Sequence, residues 1–304
     1  MSTERSAAPG APARWAAVVV NYEAGDLLTA CARSILEDDS AGQAEVVVVD
    51  NGSSDGSVAR LQHAVPGIHV LDLGGNLGYG AAANRGIAAT DAPVVAVCNA
   101  DLEVAPGTAA AMATRFEAEP DLAAVGPLVR NVDGTVYPSA RSVPALPDAI
   151  GHSLLGARWP HNRFTRRYRQ LDADVSQARD VDWISGAAMW LRRSALDSVG
   201  GWDEHYFMYM EDLDLCWRLR RLGWRVAYDP RGSVVHVQGV STDQHPYRMI
   251  LRHHRSVYRF EAKRWHGARR LLLAPAAALL AVRASCAIGA RALRPRRSGA
   301  EGTG

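Results

Sequence analysis

Ala44-Glu45-Val46-Val47-Val48-Val49-Asp50-Asn51-Gly52-Ser53-Ser54-Asp55-Gly56 joins a run of valines to a cluster of turn-forming residues. Four consecutive valines with no polar alternation fit a strand buried on both faces. Asn51 and Gly52 tolerate the dihedrals of a tight turn, so the chain is expected to reverse there. Similar runs occupy residues 15–20, 67–73 and 92–98; the first ends at Asn21-Tyr22 and the last at Asn99-Ala100-Asp101. Helix-like stretches at 25–37, 56–63 and 78–90 lie between them. Strand and helix alternating at this spacing predict βαβ units, hence an α/β fold with a mostly parallel central sheet flanked by helices. Ligands bind such sheets at the carboxyl ends of the strands. Asn21, Asp50, Asn76 and Asp101 fall at or just past those ends.

Farther along, residues 125–182 are punctuated by Pro and Gly and read mainly as loops, and 182–192 return to an apolar pattern. Residues 210–222 read as a helix with Leu215, Leu219 and Leu222 on one face and Gly223 as its stop. Asp214 and Arg218 are spaced to pair on its surface. Residues 224–228 and 233–237 are short strand candidates, and no internal repeat is present.

The 304 residues are 48% apolar and 22% charged, enough for one large core and too apolar for a disordered chain. The net charge of +2 hides an asymmetry. Between Tyr247 and Arg297, thirteen bases face one acid, Glu261, for a local charge of +12, while residues 1–246 carry −9. Such a tail is expected to meet an anionic surface, here a membrane and not nucleic acid. The apolar run 271–282 is interrupted by Pro275 and is shorter than the ~20 residues a spanning helix needs. Extending it to residue 290 takes in Arg283, so a helix lying in the membrane interface is expected.

Cys31, Cys98, Cys216 and Cys286 are widely spaced, which argues against a zinc site or a disulfide framework and predicts reduced thiols. Residues 1–14, rich in Ala, Pro and Ser and without an apolar stretch, read as a disordered leader, not a signal peptide. The chain thus divides into 1–14, a main α/β domain over 15–246, and a basic amphipathic helical region over 247–304.

Each polar cluster admits two readings. Asp101 is placed either to hold a divalent cation that neutralises a departing diphosphate or to cap a nearby helix. Asp50 either accepts a hydrogen bond from a nucleobase imide or closes a plain turn before a helix capped by Asp55. The run Gly74-Gly75-Asn76-Leu77-Gly78-Tyr79-Gly80-Ala81-Ala82-Ala83-Asn84 can bring backbone N–H groups to a phosphate. Its Gly78-x-Gly80-x-x-Ala83 spacing also matches a dinucleotide fingerprint, but after the third strand and not the first. Glu211 and Asp212 open a helix, where a carboxylate either serves as general base or merely satisfies the dipole. His236, in an apolar Val-Val-His-Val run, is a core histidine or a metal ligand. Trp183, Ser185 and Gly186 line an acceptor groove or pack a turn.

Taken in order, Val-Val-Val-Asn21-Tyr, Val-Val-Asp50-Asn-Gly-Ser-Ser-Asp-Gly-Ser, Gly-Asn76-Leu-Gly-Tyr-Gly, Asn99-Ala-Asp101, Ser185-Gly186-Ala, Gly200-Gly-Trp-Asp-Glu and Met-Glu211-Asp212-Leu-Asp-Leu make residues 15–245 resemble the family 2 nucleotide-sugar glycosyltransferases of GT-A fold. The runs from Gly126 to Arg141, Arg-Tyr-Arg169-Gln and Tyr206-Phe-Met-Tyr-Met-Glu-Asp are similar to the actinobacterial rhamnosyltransferases of cell-wall linker synthesis within it. The resemblance implies an inverting transfer of L-rhamnose from dTDP-L-rhamnose to O3 of N-acetylglucosamine on decaprenyl diphosphate. It implies a cytoplasmic enzyme, peripheral at the inner face of the cell membrane. By the same resemblance, Asp50 meets the nucleobase, while Asn76 and Asn84 lie near ribose and diphosphate, with Asn21 and Asn99 in the same nucleotide-sugar site. Asp101 holds Mg²⁺ or Mn²⁺ with His236 as second ligand, Asp212 is the general base, and Glu211 supports the acceptor. Ala100 stands where the family often has Pro. Three alternatives compete: another sugar transferase of the family, such as one using a UDP-galactofuranose donor; a non-catalytic nucleotide-sugar sensor; and an oxidoreductase built on the glycine spacing.

Overall fold

The computed structural model describes residues 15–42, 44–156, 158–237 and 246–292. The expected leader, residues 1–14, and the end of the basic tail with Arg294, Arg296 and Arg297 lie outside them. The strands are β1 (Ala16–Asn21), β2 (Glu45–Asp50), β3 (His69–Asp72), β4 (Val94–Asn99), β5 (Leu102–Val104), β6 (Leu122–Asn131), β7 (Ala140–Arg141), β8 (Arg179–Asp180), β9 (Trp183–Ile184), β10 (Ala188–Arg192) and β11 (Arg225–His236). The helices are α1 (Leu27–Glu37), α2 (Ser57–Ala64), α3 (Tyr79–Ala88), α4 (Thr108–Ala118), α5 (Leu146–Leu155), α6 (Arg163–Arg169), α7 (Arg193–Val199), α8 (Glu211–Arg221), α9 (Pro246–Arg264) and α10 (Leu273–Ala292).

The main sheet runs β3-β2-β1-β4-β10-β6-β11-β5, with β8 added beside β11. Strands β1 to β4 are mutually parallel, as the valine runs predict. Val18, Val19, Val47, Val48, Val95 and Val97 are wholly buried, because helices cover both faces. Helix α3 comes so close that a Cβ on Gly86 would lie 2.3 Å from Val18 Cγ1 and 2.7 Å from Val49 Cγ2. Beyond β4 the sheet changes character: β10 runs antiparallel to β4 and β6, while β11 is parallel to β6. A separate ribbon pairs β7 with β9, setting Arg141 opposite Trp183.

Residues 125–182 are loops only in part. Strand β6 continues to Asn131, and α5 and α6 follow. The breakers that suggested loops have other uses. A Cβ on Gly126 would sit 3.2 Å from Ile184, and Pro127 lies past the end of the β10 pairing, which stops at Val125. Asn162 caps α6, accepting from the Phe164 and Thr165 N–H groups at 3.0 Å each. The two short strands expected near 224–237 are one strand, β11, with a register shift between Asp229 and Ser233 that accommodates Pro230. Asp214 and Arg218 pair at 2.6 Å, but Asp214 is fully buried, so the pair is not on the surface.

The described residues divide into two compact units, one within 15–207 and 211–237 and one within 208–210 and 246–292. In the second, α9 and α10 pack together, and Ser256 donates a 3.0 Å hydrogen bond to the Met208 carbonyl. Pro275 does not interrupt the apolar run. It is the third residue of α10, in a first turn whose N–H groups need no intrahelical acceptor. Gly267–Ala292, 26 residues with an 18-residue stretch of mean hydropathy 2.0, is by length and composition enough to cross a membrane, the single such segment among the described residues. The expectation of a run too short to span was wrong, because the helix continues through Arg283.

Candidate active site

Parallel register sets Asn21 opposite Asp50 at the carboxyl edge of the sheet. The Asn21 amide nitrogen lies 2.8 Å from Asp50 Oδ1 and 3.0 and 3.1 Å from the Ser53 and Ser57 hydroxyls. The Ser53 N–H donates to Asp50 Oδ2 at 3.2 Å. Asn21 has no exposed surface, so it orients Asp50 and does not itself reach a nucleotide sugar. Next to it, Asn51 Oδ1 accepts from the Leu77 N–H at 2.8 Å while Asn51 donates to Asn76 Oδ1 at 3.2 Å. Asn76 Oδ1 also accepts from the Gly78 N–H at 3.1 Å. Two glycines make this interlock possible. Gly52 (φ +83°) would place a Cβ 2.6 Å from Gly75 Cα, and Gly78 (φ +93°) would place one 2.5 Å from the Phe207 carbonyl oxygen.

Asn84 is used elsewhere. Its amide donates to the Trp202 carbonyl at 2.9 Å and to Glu204 Oε1 at 3.0 Å, and accepts from the Trp202 N–H at 2.9 Å. With its hydrogen-bonding capacity committed to tying α3 to the 200–204 turn, it has little left for a ribose or diphosphate.

After Asp101 the chain enters β5 and not a helix, so Asp101 is not a helix cap. Antiparallel pairing sets Leu102 opposite His236, the last residue of β11. His236 Nε2 then lies 3.1 Å from Asp101 Oδ1 and 3.2 Å from Asn99 Nδ2, while its Nδ1 is buried without a partner. Among the described residues no three His, Cys, Asp or Glu side chains converge. A carboxylate oxygen and an imidazole nitrogen this close fit two neighbouring positions around a divalent cation whose remaining ligands come from substrate phosphates.

Helix α8 begins at Glu211 straight after two left-handed residues, Tyr209 (φ 67°) and Met210 (φ 69°). Asp212 Oδ2 accepts from the Gly186 N–H at 3.0 Å and Oδ1 from the Leu213 N–H at 2.8 Å. Glu211 is buried, and its Oε2 has no partner. Burial, then the charge of Asp212, holds the Glu211 carboxyl well above its ordinary value. Burial also raises Asp212, opposed by the Gly186 and Leu213 N–H groups and the charge of Arg141. Those donors favour the charge on Asp212, whereas Glu211 has none at its buried Oε2.

The two groups of acids share one site. Gly186, which holds Asp212, accepts a 2.6 Å hydrogen bond from the Tyr79 hydroxyl, and next to it the Ala187 carbonyl accepts from the Asn99 N–H at 2.9 Å. Burial raises the Tyr79 hydroxyl well above its ordinary value, and the charges of Cys98, Glu211, Asp212 and Asp101 add to the rise. Tyr79, Tyr137 and Arg141 were given no role from the sequence, although all three stand inside motifs that were quoted. Trp183 does not line an open groove: it is 4% exposed, donates to the Ser142 carbonyl at 3.2 Å, and lies under Arg141. Ser185 binds back to the Ser139 carbonyl through its N–H at 2.9 Å.

The family profile described as Glycosyl transferase family 2 matches residues 16–200, and that of Glycosyl transferase family group 2 matches 157–290. The chain belongs to glycosyl transferase family 2. A family 2 relative from Mycobacterium tuberculosis, N-acetylglucosaminyl-diphospho-decaprenol L-rhamnosyltransferase, is 42% identical over 233 residues, covering 73% of this chain and 76% of its own. Rhamnosyltransferase WbbL of Escherichia coli is 32% identical over 126 residues, 41% of this chain and 45% of its own. A mannosyltransferase from Pyrobaculum calidifontis, solved with GDP-Man and Mn2+, superposes with a TM-score of 0.55 at 19% identity, covering 97% of this chain and 79% of that one. The fold is therefore the GT-A one expected from the motifs, and the protein is a glycosyltransferase. The sensor and oxidoreductase alternatives fall. Gly78 and Gly80 serve packing against Phe207 and Trp202.

Proposed function

We propose that this enzyme transfers L-rhamnose from dTDP-L-rhamnose to O3 of N-acetylglucosamine carried on a polyprenyl diphosphate, with inversion at the anomeric carbon. The observation that carries the reading is the Asp212–Gly186–Tyr79 chain of hydrogen bonds beside the Asp101–His236 pair. The 42% identity to the mycobacterial rhamnosyltransferase supports the choice of donor and acceptor. Asp212 takes the proton from the attacking hydroxyl, an effect worth ~10²–10⁴-fold. Protonated Glu211 keeps a second negative charge away from that base. Asp50, oriented by Asn21, accepts from the imide N–H of the nucleobase, and Asn76 faces the ribose and diphosphate. Asp101 and His236 would hold Mg²⁺ or Mn²⁺; such a cation, when bound, neutralises charge on the leaving diphosphate. A single displacement inverts configuration.

Thymine and uracil offer Asp50 the same imide, so the donor is tested directly. Purified enzyme is given dTDP-rhamnose, UDP-galactofuranose, UDP-glucose or GDP-mannose with a short-chain prenyl diphosphate-GlcNAc, and product linkage is read by NMR. Rhamnose on O3 is expected. Transfer from UDP-galactofuranose alone would move the assignment to that donor, and transfer from none would end it.

The enzyme works at the cytoplasmic membrane face in this reading, held by α9 and α10. Basic side chains near anionic headgroups contribute about 1 kcal/mol each. Arg283, near the middle of α10, would cost ~2.5–3.5 kcal/mol at a bilayer centre, which favours a peripheral helix in the interface. Flotation with anionic liposomes is expected for the full chain and not for a chain ending at residue 246. Retention in membranes through alkaline carbonate would show that α10 spans instead.

A further inference from the structure

Arg141 has a setting that the reaction above leaves unexplained. It stands on β7 opposite Trp183, and its guanidinium carbon lies 4.9 Å from the centroid of the Trp183 ring, 5.4 Å from that of Tyr137 and 5.9 Å from that of Tyr168. Its Nε donates to the Pro138 carbonyl and its Nη2 to the Tyr137 hydroxyl, both at 2.7 Å. No carboxylate among the described residues forms an ion pair with it, whereas Arg115, Arg218 and Arg225 each have one. An arginine packed in aromatic rings, with Asp212 acting on it only from beyond ion-pair contact, gains from an anion that meets it directly.

Its position narrows the choice of anion. Tyr137, which holds one end of the guanidinium, stands edge-on to His236 with ring centroids 6.4 Å apart, and the charge of Arg141 also acts on Asp212. The surrounding acids, Asp101, Glu211 and Asp212, repel any phosphate. Under the function proposed above, two diphosphates enter this acidic site. The donor's has the Asp101–His236 pair and its cation; the acceptor's has no such partner. We infer that Arg141 is the binding site for the diphosphate of the lipid-linked acceptor, held flat by its ring stack so that Nη1 meets a phosphate oxygen while the sugar hydroxyl faces Asp212. The phosphate adjoins C1 of the acceptor sugar, so gripping it sets which hydroxyl reaches the base. This inference rests on the proposed acceptor class.

The test compares full-length parent enzyme with Arg141→Met and Arg141→Lys, each checked for an unchanged thermal transition. Binding of a short-chain prenyl diphosphate is measured by calorimetry with dTDP present. Transfer is measured onto prenyl diphosphate-GlcNAc and onto an uncharged alkyl glycoside of the same sugar. Arg141→Met is expected to weaken prenyl diphosphate binding and to lower kcat/KM on the charged acceptor by about 10- to 100-fold. On the uncharged glycoside it loses only what the Arg141 charge contributes to ionising Asp212, a smaller factor than on the charged acceptor and one that a higher pH restores, and the KM for donor is unchanged. Lysine, which keeps charge without the planar fork, falls between. Equal losses on both acceptors would overturn the inference in favour of an effect on the base. A raised donor KM with intact prenyl diphosphate binding would overturn it in favour of the donor phosphates. If the parent transfers no sugar yet loses diphosphate affinity on Arg141→Met, the subsite stands and the reading of the sugar acceptor fails.

Discussion

On the nucleotide side of the sheet edge, Asn21, Asn51 and Asn76 direct their amides into neighbouring turns, and two glycines let those turns touch backbone to backbone. On the acceptor side, Glu211 Oε2 is buried without a partner, Arg141 has no carboxylate in ion-pair contact, and Asp212 rests on two N–H groups beside a second buried carboxyl. The first region is tied together by hydrogen bonds among its own polar groups, with Asn21 Oδ1 buried without a partner. The second stores unsatisfied charge, which a substrate with a hydroxyl and an anion completes. A site that binds one substrate by shape and prepares another for proton transfer needs both kinds of construction.

The largest expected break in that contrast comes from Asp212→Asn. The amide keeps a carbonyl oxygen to accept from the Gly186 or Leu213 N–H but cannot take the proton of the acceptor hydroxyl. Turnover is expected to fall by ~10²–10⁴-fold while dTDP binding, measured by calorimetry, is unchanged. Transfer within a few fold of the parent would remove Asp212 as the base. The opposite break is made at Gly78. An alanine there combines a left-handed backbone with a Cβ 2.5 Å from the Phe207 carbonyl oxygen. Gly78→Ala is expected to cost about 1–3 kcal/mol, read as a lower midpoint in urea. A variant that unfolds with the parent would mean the nucleotide-side turns are not interlocked.

The same contrast explains what could be read from the chain. The nucleotide side was legible because its signals are local: Val46 to Val49 dictate a buried strand, Asn51-Gly52 a turn, and the motif order the GT-A arrangement. The roles of Asn21 and Asn84 were less so, since nothing in sequence spacing says that one faces Asp50 and the other the Trp202 backbone. The acceptor side depends on contacts of high sequence separation. Tyr79 and Gly186 are 107 residues apart, and Gly186 and Asp212 are 26 apart. Arg141 ends a stretch whose prolines and glycines look like loop punctuation, although one of them, Gly126, serves a close approach of β6 to Ile184. The burial of Asp214 was missed for a related reason: a charged pair at helical spacing carries no sign of which face the fold will cover.

The smallest effect is the most discriminating, because it separates the two acids at the start of α8. Folded Glu211 keeps its proton above the ordinary glutamate value of 4.5, where the unfolded chain has released it. The folded state therefore binds more protons in that window, and stability falls as pH rises through it. Glu211→Gln removes this loss. The variant is expected to melt at a higher temperature than the parent at neutral pH, with the two curves converging as the pH falls well below the ordinary glutamate value, where both states of the parent are protonated. Activity should respond differently. If Asp212 carries the charge of the pair, its ionisation sets the acid limb of kcat/KM while Glu211 is still neutral, and an isosteric amide leaves that limb where it was. Should the limb vanish or shift in Glu211→Gln, the proton acceptor is Glu211 and the assignment of roles within the pair is reversed.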